Sequence, residues 1–371
     1  AKDEADFYAR LDHMMDVSAR SLKTKRQVIT KLLNQGLYPY TKRYLGTFEN
    51  HFSTIGLIGM NEAGLNARWV RKDMTHRECQ EFTKNVLNHM RERLSDYQEL
   101  YGDLYNLEAT PAESTTYRLA KHDKQRYPDI ITAGEEGDTP YYTNSSHLPV
   151  DYTEDVFDAL DIQDELQTLY TSGTVFHAFL GEKMPDWKAA ANLVRTVAEN
   201  YKLPYYTLSP TYSICKCHGY LIGEHFTCPI CGENGRGRTA VNLPAIDRPV
   251  QNWNEGKTQE YKDRKSYDIT RSVLKNGTTF VLEPEKSADR AESGAKEGIY
   301  LFTTKTCPNC RMAKEFLKDR EYEVVDAEEN PELSDRFGIM QAPTLVQVGR
   351  DGEVKKYVNA SNIRRFVEES R

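Results

Sequence analysis

Six of the seven cysteines in this 371-residue sequence lie in closely spaced pairs, an arrangement suited to metal binding and dithiol chemistry. The first two pairs are Cys215 with Cys217 and Cys228 with Cys231. Their C-x-C and C-x2-C spacings are typical of a zinc ribbon, because tetrahedral zinc takes four nitrogen or sulfur ligands from two tight turns. His218 adjoins the first pair, so the fourth ligand is Cys217 or His218. The pattern predicts a structural Zn²⁺ site; four buried thiols or two disulfides are the alternative.

The third pair, Cys307 and Cys310, has the C-P-x-C spacing of a dithiol that opens a helix directly after a strand. A thiol at a helix N-terminus faces free backbone amides and the positive end of the helix dipole, and both lower its pKa. Cys307 is therefore the predicted nucleophile, and Cys310, one turn further on, would resolve the mixed disulfide. Half of a second zinc site is the weaker alternative, because no second ligand pair follows.

Composition narrows the class of protein. The net charge of -7 and the pI near 5.8 provide no electrostatic footprint for nucleic acid or an anionic membrane. The sequence has no apolar run long enough to span a membrane, and its first residues do not form a signal peptide. Cysteine pairs of this kind belong to a reducing compartment, so we expect a cytoplasmic protein with neither nucleic-acid nor membrane partners. The length predicts two or three domains.

Helical and strand patterns alternate over the first 210 residues, as an α/β barrel requires. Predicted helices cover residues 1–35, 82–104, 153–170, 186–202 and 257–275. Predicted strands cover a buried run at 52–59, closed by a turn at 60–62, and the segments 105–110, 205–208 and 278–282. The helix at 186–202 is expected to bury one face, formed by Trp187, Ala190, Leu193, Val194, Val197 and Tyr201.

The segment 110–116 joins a predicted strand to a predicted helix, and such a turn offers a phosphate free amides, hydroxyls and the helix dipole. Its candidate substrate-binding residues are Thr110, Ala112, Glu113, Ser114, Thr115 and Thr116. The alternative is an ordinary helix cap in which the hydroxyls serve only the backbone. Glu108 and Glu113 are close enough to act in acid–base catalysis, although a carboxylate beside a helix start is more often a cap or dipole partner.

The cysteine cluster is followed by the run Arg248-Pro-Val-Gln-Asn-Trp-Asn-Glu-Gly-Lys257. Together they resemble the C-terminal end of the anaerobic (class III) ribonucleotide reductases, glycyl-radical enzymes that make deoxyribonucleotides. The resemblance implies part of a ten-stranded α/β barrel in residues 1–210 and a zinc-binding, radical-loop-like region in 211–282. It also implies a nucleoside di- or triphosphate substrate gripped by the 110–116 turn and contacted by Asn144 and Ser145. A radical-SAM activating enzyme and a homodimer are the implied partners.

The sequence departs from this family pattern at two places. Counting back from Arg248, Ala245 occupies the position of the radical glycine, and the nearby Gly235 and Gly237 are out of frame. A β-carbon hinders the flattening that an α-carbon radical needs. No cysteine before Cys79, predicted to be a half-buried thiol, could serve as the finger-loop cysteine of the family. The chain is therefore predicted to be a fragment, a split subunit whose partner brings the missing half, or a degenerate copy.

Residues 283–297 are predicted to be a linker, because they are highly charged and contain no large apolar residue. From residue 298 onward the pattern predicts strands and helices in the order βαβαββα. With C-P-x-C and a proline before the third strand, residues 298–371 resemble glutaredoxins and small thioredoxins. In that family the proline is cis and faces the disulfide, and Pro343 matches it.

A ribonucleotide reductase must be re-reduced after each turnover, and a tethered dithiol provides a reductant at high effective concentration. The sequence therefore predicts the C-terminal portion of an anaerobic ribonucleotide reductase fused to its own glutaredoxin-like electron donor. The alternative is a zinc-ribbon scaffold protein whose only activity is thiol–disulfide exchange. The two differ at the 110–116 turn, because a scaffold has no reason to bind nucleotide phosphates.

Overall fold

The computed structural model describes residues 1–112, 114–181, 184, 187–215, 219–222, 225, 227–229, 250–275, 297–304, 308–327, 329–339, 342–349, 353–358 and 360–369. The chain divides into two compact units, Ala1–Glu283 and Pro284–Arg371, called here the first and second units. No helix among these residues is long and apolar enough to cross a membrane.

The first unit is rich in helices, which range from six to 31 residues in length. Their bounds are α1 (Glu4–Asn34), α2 (Pro39–Tyr44), α3 (Met60–Asn66), α4 (Arg77–Tyr101), α5 (Thr115–Arg126), α6 (Val156–Gln167), α7 (Trp187–Asn200) and α8 (Glu255–Asp263). Local signals set several ends: the Asp155 carboxylate caps α6 by accepting from two backbone amides, and Gly102 ends α4 in the left-handed region at a φ of 67°.

The strands of the first unit form separate pairs. β1 (Phe52–Leu57) pairs parallel with β2 (Leu104–Ala109), and β3 (Phe176–Leu180) pairs parallel with β4 (Tyr206–Pro210). β5 (Tyr212–Cys215) and β6 (Gly219–Ile222) form an antiparallel pair. Single parallel bridges from Glu108 to Ser172 and from Leu180 to Tyr267 extend the two parallel pairs. Parallel strands joined through helices confirm the predicted mixed α/β fold; the ten-stranded barrel and the zinc ribbon stay predictions.

The core of the first unit lies between these strands and the helices. Alternate strand residues point into it, so Ile55 and Leu107 are buried against Val86 and Leu87 of α4. Thr54 and Gly56, between the buried positions, are exposed on the opposite face. The site described below lies where these strands end.

Several predicted elements differ from the structure. The expected turn at 60–62 is the start of α3, because Gly59 takes a φ of 75° and directs the chain into a helix. The strand before it is buried on one face only. The charged helix expected over 257–275 ends at Asp263, β3 was not predicted, and Trp187 and Val194 of the expected apolar face of α7 are exposed. The predicted strand at 278–282 lies outside the described residues.

The second unit has the predicted βαβαββα order. Its elements are β7 (Gly298–Thr303), α9 (Pro308–Phe316), β8 (Glu323–Asp326), α10 (Pro331–Arg336), β9 (Thr344–Val348), β10 (Val354–Val358) and α11 (Ala360–Glu369). The strands form one sheet in the order β10-β9-β7-β8, with β7 parallel to β8 and antiparallel to β9. Successive residues Leu301 and Phe302 of β7 enter different cores on the two faces of this sheet. The domain boundaries proposed from the sequence stay predictions.

Candidate functional site

The turn between β2 and α5 lies at the carboxyl ends of the parallel strands, as the phosphate prediction requires. The Thr110 hydroxyl donates a hydrogen bond of 3.2 Å to Oε2 of Glu108, and Ala112 has a φ of 40°. Ser114 occupies the N-cap position of α5, but its side chain makes no capping hydrogen bond. The plain cap interpretation therefore does not account for Ser114. Glu113 lies outside the described residues.

Two glycines make room for the start of this turn. A β-carbon on Gly56 of β1 would lie 1.7 Å from the Thr110 hydroxyl oxygen. One on Gly173, whose φ is 60°, would lie 2.4 Å from Cγ of Glu108. The side chains of Glu108 and Thr110 thus occupy space that a residue larger than glycine at position 56 or 173 would fill.

The segment 141–148 is held at the end of β1 by backbone hydrogen bonds. The Gly59 amide donates to the Thr143 carbonyl at 2.9 Å, and the Met60 amide donates to the Ser145 carbonyl at 3.1 Å. The fully buried Glu62 carboxylate accepts from the amide and the hydroxyl of Thr143 at 3.0 and 2.7 Å. Burial raises the pKa of Glu62, and the hydrogen bonds oppose that shift. This buried carboxylate therefore ties the segment to α3.

A buried ionic cluster on α8 faces the same segment. Lys257 Nζ lies 2.5 Å from Glu260 Oε2, and Arg264 Nη2 lies 2.8 Å from Glu260 Oε1. Lys257 also donates to Oδ1 of Asn144 at 3.3 Å. Burial by itself would raise the pKa of Glu260, but the adjacent Lys257 and Arg264 charges outweigh it and lower that pKa. Asn144, a predicted substrate contact, is therefore bound to α8.

Two histidines lie beside this cluster. His147 is half-buried, and its buried Nε2 has no hydrogen-bond partner among the residues described. Burial and the nearby His177 lower the pKa of His147 to about 4. Nδ1 of His177 lies 2.9 Å from the Thr207 hydroxyl, and burial followed by the Arg264 and Lys257 charges lowers its pKa. The Arg264 guanidinium lies 3.8 Å from the centre of the Phe179 ring. Both imidazoles are therefore neutral near pH 7.

These groups line one pocket together with Pro111 of the turn. Of the predicted substrate residues, Asn144 lines the pocket, whereas the buried Ser145 and the residues of 114–116 do not belong to its described lining. Sequence reasoning did not assign His147, His177, Lys257, Glu260 or Arg264. The spacing of Lys257, Glu260 and Arg264 is the one available signal, because residues three, four and seven apart share a helix face.

The predicted zinc ligands are only partly described. Cys215 at the end of β5 and Cys228 are both buried and share a small cluster with Leu221, an arrangement that fits one ligand from each cysteine pair. Cys217, His218 and Cys231 lie outside the described residues, as do Gly235, Gly237 and Ala245. Within the part of the chain that the structure covers, no three candidate ligand side chains are grouped for a metal ion. The zinc site stays a prediction.

In the second unit, Cys310 is buried in the first turn of α9, directly after β7 and its connecting loop. Cys307 lies outside the described residues. Pro343 is buried and follows a cis peptide bond from Ala342, the geometry that the glutaredoxin resemblance implies. Cys79 is fully rather than half buried, and burial raises the pKa of its thiol to about 12, so it is unreactive.

The parallel strand pairs, the pocket with its buried charged groups and the redox fold that follows define a fusion of an α/β unit with a glutaredoxin-like unit. The chain belongs to the anaerobic ribonucleoside-triphosphate reductase family, whose model matches residues 1–267. The glutaredoxin family model matches residues 299–352.

Curated relatives agree with this assignment. The chain is 24% identical over 288 residues to the anaerobic ribonucleoside-triphosphate reductase of Haemophilus influenzae, covering 71% of this chain and 40% of that protein. The Escherichia coli enzyme is 24% identical over 287 residues, with 71% and 39% covered. This chain therefore spans about 40% of the length of these relatives.

Solved structures show the same fold. One anaerobic ribonucleotide reductase matches with a TM-score of 0.57 at 23% identity, covering 72% of this chain and 42% of that one. The Thermotoga maritima enzyme with glycerol in its active site matches with a TM-score of 0.54 at 22% identity, covering 70% and 41%.

Proposed function

We propose that this chain is the C-terminal portion of an anaerobic ribonucleotide reductase that carries its own electron donor. The first unit binds the substrate phosphates at the 110–116 turn, and the second unit supplies the reducing dithiol. Replacing the ribose 2'-hydroxyl by hydrogen consumes two electrons, which a dithiol provides as it becomes a disulfide. Cys307 and Cys310 would restore the reduced state by thiol–disulfide exchange.

The observation that carries the proposal is the geometry of the turn within a chain of this family. Ser114 stands at the N-terminus of α5, its side chain makes no capping bond, and its hydroxyl could bind a phosphate at the positive end of the helix dipole. The Thermotoga maritima relative has been solved in complex with dATP and CTP, which supports a nucleotide as the ligand. Asn144 and Ser145 lie at the same strand ends.

Isothermal titration of the full chain with ribonucleoside di- and triphosphates tests phosphate binding at the turn. The double change Ser114→Ala with Thr115→Ala should weaken binding by about tenfold, the loss of one or two charge-assisted hydrogen bonds. Ser18→Ala with Thr24→Ala is the matched control, because these hydroxyls bond only to carbonyls of their own helix. A well-folded chain that binds no nucleotide would contradict the reductase function. The remaining function would then be that of a scaffold protein whose only activity is thiol–disulfide exchange.

The dithiol assignment has a separate test in a disulfide-reduction assay. Cys307→Ser should abolish turnover, since Cys307 is the proposed nucleophile, whereas Cys310→Ser should accumulate a mixed disulfide that mass spectrometry detects. Pro343, next to the third strand of the fold, would pair with the backbone of the partner. A mixed disulfide that accumulates in Cys307→Ser instead of Cys310→Ser would contradict this division of labour.

The remaining parts of the proposal concern binding partners. Zn²⁺ would be held by Cys215, Cys228, Cys231 and either Cys217 or His218, and would stabilise the region structurally. Radical chemistry would require a radical-SAM activating enzyme and a chain that brings the finger-loop cysteine, and the reductase would act as a cytoplasmic homodimer. Zinc analysis of the purified chain, and copurification with a second reductase chain, test these parts.

A further inference from the structure

We infer that the pocket beside α8 binds a small oxyanion, a carboxylate or a phosphate group, through Arg264 and Lys257. This site is distinct from the phosphate turn, because Pro111 is the one residue of the turn in its described lining. The inference does not depend on reductase activity.

The first argument is an imbalance of charge. The charged side chains that line the pocket, among the residues described, are Lys257, Arg264, Lys265 and the single carboxylate Glu260. Lys257, Arg264 and Glu260 are only 7, 9 and 6% exposed at their side chains, so solvent compensates the excess charge poorly. Lys257 and Arg264 share the one Glu260 carboxylate, so one buried positive charge remains uncompensated, and a bound anion would offset it.

The second argument is an excess of hydrogen-bond donors. Among the residues described, the side-chain N–H groups of Arg264 and Lys257 donate to the two carboxylate oxygens of Glu260 and to Oδ1 of Asn144. A guanidinium and an ammonium together carry more donors than these three acceptor atoms can satisfy. Nε and Nη1 of Arg264 are buried and have no hydrogen-bond partner within the described ranges. An oxyanion supplies acceptors and negative charge at once.

The third argument concerns the shape and polarity of the walls. Phe176, Phe179, Trp253 and Tyr267 line the pocket, and Phe179 covers one face of the guanidinium. Apolar walls reduce the local dielectric constant, which strengthens the attraction between Arg264 and an anion. The exposed Lys265 extends the positive charge to solvent. The pocket therefore suits an anionic group more than a cation or a neutral polar group.

Fluorescence of Trp253 provides a direct measurement on the full-length chain. Trp69→Phe and Trp187→Phe remove the other two tryptophans, so the signal comes from the pocket. The protein is titrated with sodium acetate and, separately, with sodium phosphate at constant ionic strength. We expect a saturable change with at least one of them, and the effective anion identifies the ligand as a carboxylate or a phosphate.

Substitutions locate the anion. Arg264→Met should weaken binding at least about tenfold, and Arg264→Lys should recover part of it. Arg271→Met is the matched control, because Arg271 is 74% exposed and pairs with Glu154 and Asp268 at the surface. If circular dichroism shows that Arg264→Met is unfolded, the exposed Lys265→Gln replaces it, with an expected weakening of roughly twofold.

Three results would overturn the inference. One is the absence of a saturable response to either anion in the folded parent protein. Another is equal binding in Arg264→Met and Arg271→Met. The third is a phosphate response lost in the Ser114→Ala, Thr115→Ala variant but not in Arg264→Met, which would assign the anion to the turn and leave the proposed function standing.

Discussion

The sheet of the second unit is covered on both faces, whereas β1 of the first unit is covered on one. In the second unit, Leu301 and Phe302 enter separate cores on opposite sides of a single sheet. In the first unit, Ile55 and Leu107 face the helices, but the neighbouring positions Thr54 and Gly56 remain exposed. A strand face without an apolar cover can carry polar side chains, and the candidate site lies at the ends of such strands.

The two units also differ in their spectroscopic and titratable side chains. All three tryptophans and all nine histidines of the chain lie in the first unit. Tryptophan fluorescence and any histidine-dependent change of stability therefore report on that unit alone, which allows the contrast to be tested in the intact chain.

The largest expected effect is the loss of a core side chain from the first unit. Phe157→Ala should lower the free energy of unfolding by about 3–5 kcal/mol, because the ring is fully buried and its removal leaves a cavity. Urea titration followed by tryptophan fluorescence measures it. Leu100→Ala, at a position 69% exposed, should change stability by no more than about 0.5 kcal/mol. Similar effects of both changes would contradict the position of the core.

The next effect concerns acid sensitivity. His147 has a pKa of about 4 in the folded chain, below its ordinary value, so the unfolded chain takes up a proton first as the pH falls. His147 therefore adds to the free energy of unfolding near pH 7. That contribution, up to roughly 3 kcal/mol, is lost as the pH falls from about 6.5 to 4. His147→Gln should remove that part of the pH dependence in urea titrations at pH 7, 6 and 5.

His122→Gln is the matched control, because it removes an imidazole from an exposed position outside the pocket. A His147→Gln chain that loses stability with acid as steeply as the parent would show that this histidine is not held neutral by burial.

A smaller effect is expected when a methyl group is added at one glycine in each unit. Gly56→Ala places a methyl group against the Thr110 hydroxyl, so it should cost about 1–3 kcal/mol and weaken nucleotide binding at the turn. Gly298→Ala should be tolerated, because the added β-carbon would lie 3.8 Å from the nearest atom, in the Tyr300 ring. Thermal unfolding by circular dichroism and nucleotide titration measure both. Normal nucleotide affinity in Gly56→Ala would mean that Thr110 does not position the turn.

The smallest effect is expected at Val194, which is adjacent in α7 to the buried Leu193. Val194→Ala should change stability by at most about 0.5 kcal/mol, because the side chain is 42% exposed. Leu193→Ala, at a fully buried position, should cost about 2–5 kcal/mol. Chemical unfolding of the two variants decides whether the helix buries the face seen in the structure or the wider face that its sequence suggests.

The second unit could be predicted almost completely from its sequence because its signals are local. The strand at 298–303 is followed at once by the C-P-x-C motif and a helix, and Pro343 precedes the next strand. Periodicity and turn residues were therefore enough to give the order of the strands and helices along the chain.

The first unit was predictable only in part because its contacts join distant residues. The 110–116 turn was found, since a strand and a helix flank it in the sequence. β3 was missed, because its alternating Phe176, His177 and Ala178 pair with a strand 30 residues further along. The helix expected over 257–275 ends at Asp263 in the structure. The next residue, Arg264, contacts Glu260 and the Phe179 ring.

By itself, the sequence determined the family resemblance, the redox motif and the phosphate-type turn, because each depends on residue types at fixed local spacing. Only the tertiary structure decided which polar groups are buried together. Lys257, Glu260 and Arg264 look like an ordinary charged helix face until Asn144, His147 and Phe179 from other segments cover them. Burial and charge compensation arise from residues far apart in the chain, so a linear pattern cannot reveal them.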